Sequence, residues 1–281
     1  MVTKLDYPDD EVDVSLSVLV ELMTILGDFQ DAIVIVGGWV PYFHFREAEP
    51  AHTGSLDIDV ALDMQMISDE SYRTILDLLT ANGYVQSSAQ PFIFHRTVKT
   101  RDGADMVVEV DLIAAEYGGT NASHRTQQIQ DVRARKARVC DLVFADAIAT
   151  RVRHRMPDGA VNEVTVRIAG VVPFMVMKGM ALWSRRKEKD AYDIYFTLGQ
   201  YRVGIGDLVD AFRSHLSNGL VREGLAKMKA KFQTMDSPGP VWAAAFLDVT
   251  DPEERIRIQR DAFELANALL EGVGIAPFEG T

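Results

Sequence analysis

Asp57 and Asp59 are separated by one residue in Ser55-Leu56-Asp57-Ile58-Asp59, and a third acid, Asp111, lies further on in Val108-Glu109-Val110-Asp111-Leu112. On an extended segment, residues two apart face the same side, so the two carboxylates project together. Such oxygens are ligands for one or two hard cations. Mg²⁺ in particular keeps some waters and completes its shell from a few carboxylates and from substrate phosphates. Asp111, from a neighbouring strand, would close such a site. An isolated Asp-x-Asp can equally be the polar face of an edge strand. Here, though, the pair is preceded by Gly37-Gly38, directly after the apolar run Ala32 to Val36. A double glycine there lets the backbone approach a phosphate and aim free N–H groups at it.

The elements that must position these residues can be read from periodicity. Leu16, Leu19, Val20, Met23 and Leu26 recur at helical spacing and Gly27 follows, which predicts a leading helix. Ala32 to Val36 predicts a strand, Trp39 to Arg46 a helical turn whose Trp39 packs against the sheet, and Asp57 to Leu62 an alternating strand. A helix from about Asp69 to Asn82, capped by Ser68 or Asp69 and stopped by Gly83, comes next. Phe92 to Lys99 and Met106 to Ile113 predict strands joined at Asp102-Gly103, and residues 116–131 a polar surface loop. Ala147 to Arg155 and Val161 to Ile168 predict a hairpin around Pro157-Asp158-Gly159.

From Pro173 onward helical periodicity takes over, through about residue 199, then 205–216, 218–233 and 251–271, with Asp236 to Pro240 a loop or small linker. The expectation is an α+β chain: a mixed sheet with helices over residues 1–170, then an all-helical part over residues 171–281.

Composition narrows the classes. The chain has 281 residues, 47% of them hydrophobic, which is ample for one or two cored domains and unlike disorder or collagen. No apolar stretch approaches the roughly 20 residues of a membrane span, and the acidic N-terminus is unlike a signal peptide. One cysteine, Cys140, cannot form an internal disulfide or a thiolate zinc site, so a cytoplasmic protein is expected. The six histidines lack metal-ligand spacing; His44, His95, His124, His154 and His215 read as structural or surface residues. There is no Gly-x-Ser-x-Gly elbow and no phosphate-binding lysine loop. Net charge is −12, yet it is polarised: residues 1–70 hold 15 acids and 2 bases, residues 121–240 hold 12 acids and 20 bases. A basic middle can hold a polyanion locally despite an acidic total. Arg133-Ala134-Arg135-Lys136-Ala137-Arg138 and Arg151-Val152-Arg153-His154-Arg155 stand out, the latter placing Arg151, Arg153 and Arg155 on one strand face, a candidate RNA-binding surface.

The helical part opens with Val172-Pro173, runs through Lys178-Gly179-Met180-Ala181-Leu182-Trp183-Ser184-Arg185 and continues into Lys189-Asp190-Ala191-Tyr192-Asp193-Ile194-Tyr195. Lys178 and Arg185 are seven apart and share a helix stripe, while Lys189 and Asp193 are an (i, i+4) pair. A cationic stripe of this kind, facing strand-borne carboxylates, would hold a metal–nucleotide complex. Tyr192 and Tyr195, beside Ile194, Phe196 and Leu198, are expected in the core.

The order strand, Gly-Gly, helix, Ser-x-Asp-x-Asp strand, helix, strand with Asp resembles the nucleotidyltransferase superfamily typified by DNA polymerase β. With the proline-started helix and Lys-Asp-x-x-Asp-Ile-Tyr, the chain is similar to the AbiEii/AbiGii-type toxin nucleotidyltransferases, to which the MenT toxins belong, over roughly residues 30–200. The last 80 or so residues match no motif. The resemblance implies that Ser55, Asp57 and Asp59 serve metal and triphosphate binding and that Lys178 meets nucleotide phosphates. It makes Asp193, or alternatively Asp190, the aspartate of the last motif. His52 and Thr53 stand where the family often has a basic residue, a role Arg46 or His52 would then take.

The resulting expectation is a nucleotidyltransferase using Mg²⁺ or Mn²⁺ and a nucleoside triphosphate, with Asp57, Asp59 and Asp111 as metal ligands. Gly37, Gly38, Ser55, Lys178, Arg185 and Asp193 would contact the nucleotide. The acceptor implied is RNA, a tRNA 3′ end, and the implied partner a cognate antitoxin protein. Two alternatives stand beside it: transfer to a small molecule or a partner protein, and a non-catalytic nucleotide-binding module.

Overall fold

The computed structural model describes residues 1–63, 66–67, 74–115, 126–129, 132–137 and 139–279, with the backbone alone at 115, 126–129 and 132–137. In chain order the elements are α1 (Asp9–Ile25), β1 (Ile33–Val36), α2 (Trp39–His44), β2 (Ile58–Leu62), α3 (Ile75–Ala81), β3 (Tyr84–Gln86), β4 (Ile93–Lys99), β5 (Asp105–Ala115), β6 (Thr126–Ile129), β7 (Val132–Ala137), α4 (Cys140–Ala145), β8 (Ala147–Arg155) and β9 (Val161–Ala169). Helices follow: α5 (Val171–Ser184), α6 (Glu188–Gln200), α7 (Ile205–Ser214), α8 (Gly219–Lys231), α9 (Pro238–Phe246) and α10 (Pro252–Val273). The protein is therefore α+β, a mixed sheet with helices followed by an all-helical region.

The chain divides into two compact units. One comprises residues 7–43 and 53–170, the other residues 1–6, 44–52 and 171–281. The division at Gly170 coincides with the change in periodicity. Residues 1–6 and 44–52, which sequence order puts in the first 170, belong instead to the helical unit. The reason is packing: the Val2 amide donates to Glu188 at 3.2 Å, and Phe45 lies edge-on to Phe196 and Tyr201.

In the α/β unit the main strand order is β3-β4-β5-β2-β1-β9-β8, with β7 also joined to β5 and β6 to β7. β1 and β2 are antiparallel, whereas β2 and β5 are parallel. All four residues of β1 are buried, as are Ile58, Val60 and Leu62 of β2 and Val108, Val110 and Leu112 of β5. α1 contributes Val18, Leu19, Leu22 and Met23 to the same core, packing on β8 and β9. Alternation along β2 and β5 thus puts one face into the core and leaves the aspartates on the other.

Several expected boundaries shift. The helix expected from Asp69 is described from Ile75, its first turn capped by Thr74, whose hydroxyl accepts from the Asp77 amide at 3.1 Å; Ser68 and Asp69 lie outside the described residues. Within the expected 116–131 loop, residues 126–129 form β6, paired with β7; residues 116–125 lie outside the description, His124 among them. Asp236 to Pro240 is a helix start rather than a linker, with Ser237 as N-cap and Pro238 in the first turn. First-turn N–H groups have no helical acceptor, so prolines are tolerated there. β3 and α4, too short for a periodic signal, were not anticipated. Among the described residues no helix is long and apolar enough to cross a membrane, and Cys140 is buried.

α5 and α8 pack with glycine at the crossing. A β-carbon on Gly179 would collide with the Gly224 carbonyl oxygen, and one on Gly224 with Val176. Gly179→Ala should destabilise the protein by about 1–3 kcal/mol, seen as a lower urea midpoint at unchanged slope. Gly199→Ala, in a helix with open space around it, should leave stability unchanged or raise it by up to about 1 kcal/mol.

Candidate functional site

The carboxylates of the α/β unit are positioned by register. Asp59 pairs with Asp111 across the parallel β2–β5 ladder, so both project from the same face of neighbouring strands. Both are half-buried. Asp59 is also opposite Val36, the last residue of β1, which brings the following glycine beside it. Gly37 has φ +70°, and a β-carbon there would land on Asp59 Oδ2. Glycine is thus required twice at this position, by backbone conformation and by the carboxylate against it. Asp57 precedes β2. Its Oδ1 accepts from the Ser55 hydroxyl, and its carbonyl accepts from Trp39 Nε1 at 2.9 Å. Trp39, fully buried, therefore ties α2 to the segment entering the aspartate strand.

The three acids accordingly form a pair abreast, Asp59 and Asp111, with Asp57 oriented by its local serine. Among the described residues no three His, Cys, Asp or Glu side chains gather into a metal-ligand group. The donor set is oxygen-only, and Asp57, Asp59 and Asp111 are each half-buried. That fits a hard cation such as Mg²⁺ or Mn²⁺, which leaves coordination positions to water and phosphate, and not a soft one. The Gly37-Gly38 turn leads into α2, which has six residues, and Gly37 allows the close approach of Asp59.

The helical unit holds a second cluster, almost wholly buried. Lys178 Nζ, on α5, lies 2.7 Å from Asp190 Oδ1 and 2.6 Å from Asp193 Oδ2, both on α6. Arg185 Nε reaches Asp190 Oδ2 at 2.9 Å, and Lys189 Nζ reaches Asp193 Oδ1 at 3.0 Å. His52 Nε2 meets that same Asp193 oxygen at 3.0 Å, its ring stacked on Tyr192 and edge-on to Phe196. Burial alone would pull Lys178 down, but Asp190 and Asp193 outweigh it and hold the ammonium above the ordinary lysine value. Burial would likewise raise Asp190 and Asp193. Lys178 and Arg185 keep the first low, and Lys178 and Lys189 hold the second well below the carboxylate range.

Sequence reasoning selected Lys178, Arg185 and Asp193, and all three meet in this cluster. It treated Asp190 as the alternative, whereas Asp190 is the residue that bridges Lys178 and Arg185. The Lys189–Asp193 pair was visible as an (i, i+4) spacing; the Lys178–Asp190 contact joins two helices and has no local signal. His52, considered as a phosphate contact, is buried against Asp193 instead. Tyr192 is in the core as expected, stacked on Phe246. Tyr195 is half-buried, its hydroxyl donating to Asp261 at 2.9 Å.

Arg151, Arg153 and Arg155 are exposed on one face of β8, alternating with buried Val152 and half-buried His154. Their neighbours on β9 include Glu163, opposite Arg153, so this face is not purely basic. Residues 133–137 form β7 by backbone; their side chains, and all of Arg138, lie outside the description.

No protein-family model matches the chain, and no curated protein matches it. Among solved structures, the crystal structure of JHP933 from Helicobacter pylori is similar over 94% of this chain and 94% of that one, at 13% identity and a TM-score of 0.45.

His52 makes the helical cluster sensitive to acid. Burial pushes its imidazole down to about 4, against its hydrogen bond to Asp193 and with the help of Lys189. The unfolded chain, with its histidine at the ordinary 6.5, binds more protons between the two values, so stability falls as pH drops from 6.5 towards 4. Between pH 6.5 and 5, before most carboxylates titrate, this group should cost about 2 kcal/mol. Urea midpoints across that window should show it, and His52→Gln should lack that component of the slope.

Proposed function

We propose that the protein is a metal-dependent nucleotidyltransferase of the AbiEii/AbiGii toxin type, moving a nucleoside monophosphate from a triphosphate onto a hydroxyl of RNA, a tRNA 3′ end. The observation that carries this reading is the register match of Asp59 with Asp111, beside Gly37 and two residues beyond the serine-held Asp57. It is supported by the order of motifs along the chain, in which these acids precede the Lys178, Asp190 and Asp193 cluster.

In the reaction the RNA hydroxyl oxygen attacks the α-phosphorus, the bond from that phosphorus to the bridging oxygen breaks, and pyrophosphate leaves with the electron pair. The hydroxyl proton passes to the Asp111 carboxylate and from there to solvent. A divalent ion held by Asp57, Asp59 and Asp111 would supply charge neutralisation at the phosphates. Ser55 fixes the Asp57 carboxylate before substrate arrives, so little reorganisation accompanies the chemistry. In the helical unit, Asp190 and Asp193 keep Lys178 charged despite its burial. A lysine held charged in this way suits an anionic triphosphate. An antitoxin protein would silence such an activity.

Purified protein incubated with Mg²⁺, total tRNA and each labelled nucleoside triphosphate in turn should label RNA with a preferred base. Asp59→Asn and Asp111→Asn should each lower the rate by roughly 10²-fold or more with the fold retained by circular dichroism. No incorporation by folded wild-type protein with any of the four nucleotides would sink the proposal; label on a protein or small molecule with RNA inert would move it to another acceptor.

A further inference from the structure

α5 and α8 run in the same direction. Val176 lies against Gly224, Met180 Sδ is 3.6 Å from Lys227 Nζ, and Trp183 lies under Lys231, so both numbers climb together. Parallel packing brings two helix C-termini, each partially negative, to one end of the unit. Arg185, Arg186 and Lys187 after α5, and Lys227, Lys229 and Lys231 at the end of α8, sit where that polarity favours cations.

Dipole compensation accounts for the cations and leaves the aromatic residues among them unexplained. Lys231 Nζ is 5.0 Å from the centre of the Trp183 ring and 5.7 Å from that of Trp242 on α9. The Arg186 guanidinium is 5.8 Å from Trp242, and Lys227 Nζ is 5.0 Å from Phe278. Phe278 in turn meets Trp183 edge-on at 5.1 Å. Aromatic ring and cation thus alternate along one row, and none of the three rings is fully buried. Arg186 and Lys227 have carboxylate neighbours, Glu188 and Glu223; among the described residues Lys231 is held by indole rings instead.

A lysine stem covering one tryptophan is ordinary packing. A half-exposed row of rings and cations is the complement of a single-stranded polyanion, whose bases stack on indole faces while its phosphates meet the ammonium and guanidinium groups. Duplex RNA keeps its bases stacked inside and offers such rings nothing. We propose that this end of the helical unit docks a single-stranded segment of the RNA acceptor on Trp183 and Trp242, with Arg186, Lys227 and Lys231 meeting its backbone. The inference rests on the RNA reading above and assigns that acceptor a surface.

The full chain, without metal or nucleotide, is titrated with a single-stranded RNA of roughly 12 nucleotides, followed by dye anisotropy and by intrinsic tryptophan fluorescence. Of the three tryptophans Trp39 is fully buried in the α/β unit, so quenching reports Trp183 and Trp242. Binding should quench the fluorescence. Lys231→Glu should weaken binding by about tenfold or more at low salt and flatten its salt dependence, Trp242→Ala should weaken it by about tenfold, and Trp242→Phe should retain most of it. Duplex RNA of equal length should bind more weakly. Thermal melts identify a variant that fails to fold, in which case Lys231→Glu and Trp242→Phe decide. Absent binding, or wild-type binding by Lys231→Glu without quenching, overturns the surface. Label transfer to RNA with an unchanged RNA KM in Lys231→Glu overturns the surface and leaves the activity standing; binding as expected without any label transfer does the reverse.

Discussion

The parallel register between β2 and β5 is the constraint on which the α/β unit's chemistry depends. Side chains on a strand alternate strictly, so the pairing that buries Ile58, Val60 and Leu62 beside Val110 and Leu112 also sets Asp59 abreast of Asp111. A one-residue slip would turn the carboxylates into the core. The hydrophobic core therefore enforces the carboxylate geometry, with no contact between the acids themselves needed to hold it. Gly37 is the corollary: β1 ends opposite Asp59, and only a residue without a side chain fits against that carboxylate.

The helical unit solves a different electrostatic problem. Lys178, Lys189, Asp190, Asp193 and His52 are withdrawn from water, where a lone charge would be prohibitive. Each ion is compensated by another from a neighbouring turn or helix, and burial, helped by the nearby Lys189, keeps the imidazole neutral. Such a cluster is weak evidence for stability in itself, since apolar replacements of the same shape often do as well. Its distinctive property is a lysine kept charged in a buried setting. It also recruits residues 44–52, which leave the sheet after α2, pack Phe45 and His52 among the helices, and return to enter β2.

The elements easiest to read in the sequence were those whose pattern is local. Alternation at residues 57–62 and 106–113, the Asp102-Gly103 and Pro157-Asp158-Gly159 turns and the period of α1 all follow from neighbours a few positions apart. The failures have physical causes. Pro238 and Pro240 look like breakers because proline cannot donate, yet the first turn of a helix requires no donation. Three-residue β3 and six-residue α4 carry too few positions to show a period. The 44–52 excursion has no sequence mark, because what assigns it to the helices is a histidine finding an aspartate far along the chain.

The same distinction governs the site. Residue types and short spacings by themselves determined the two aspartates on one strand face, the glycine after β1, the (i, i+4) pair of Lys189 and Asp193 and the α+β order of elements, because strand and helix geometry convert spacing into direction. Tertiary structure alone decided that Asp111 stands beside Asp59, that Asp57 turns to Ser55, that Asp190 joins Lys178 to Arg185, and that α5 and α8 run parallel with their basic ends together. Those outcomes depend on strand order and helix packing, which bring together residues too far apart in the chain for any local pattern to encode.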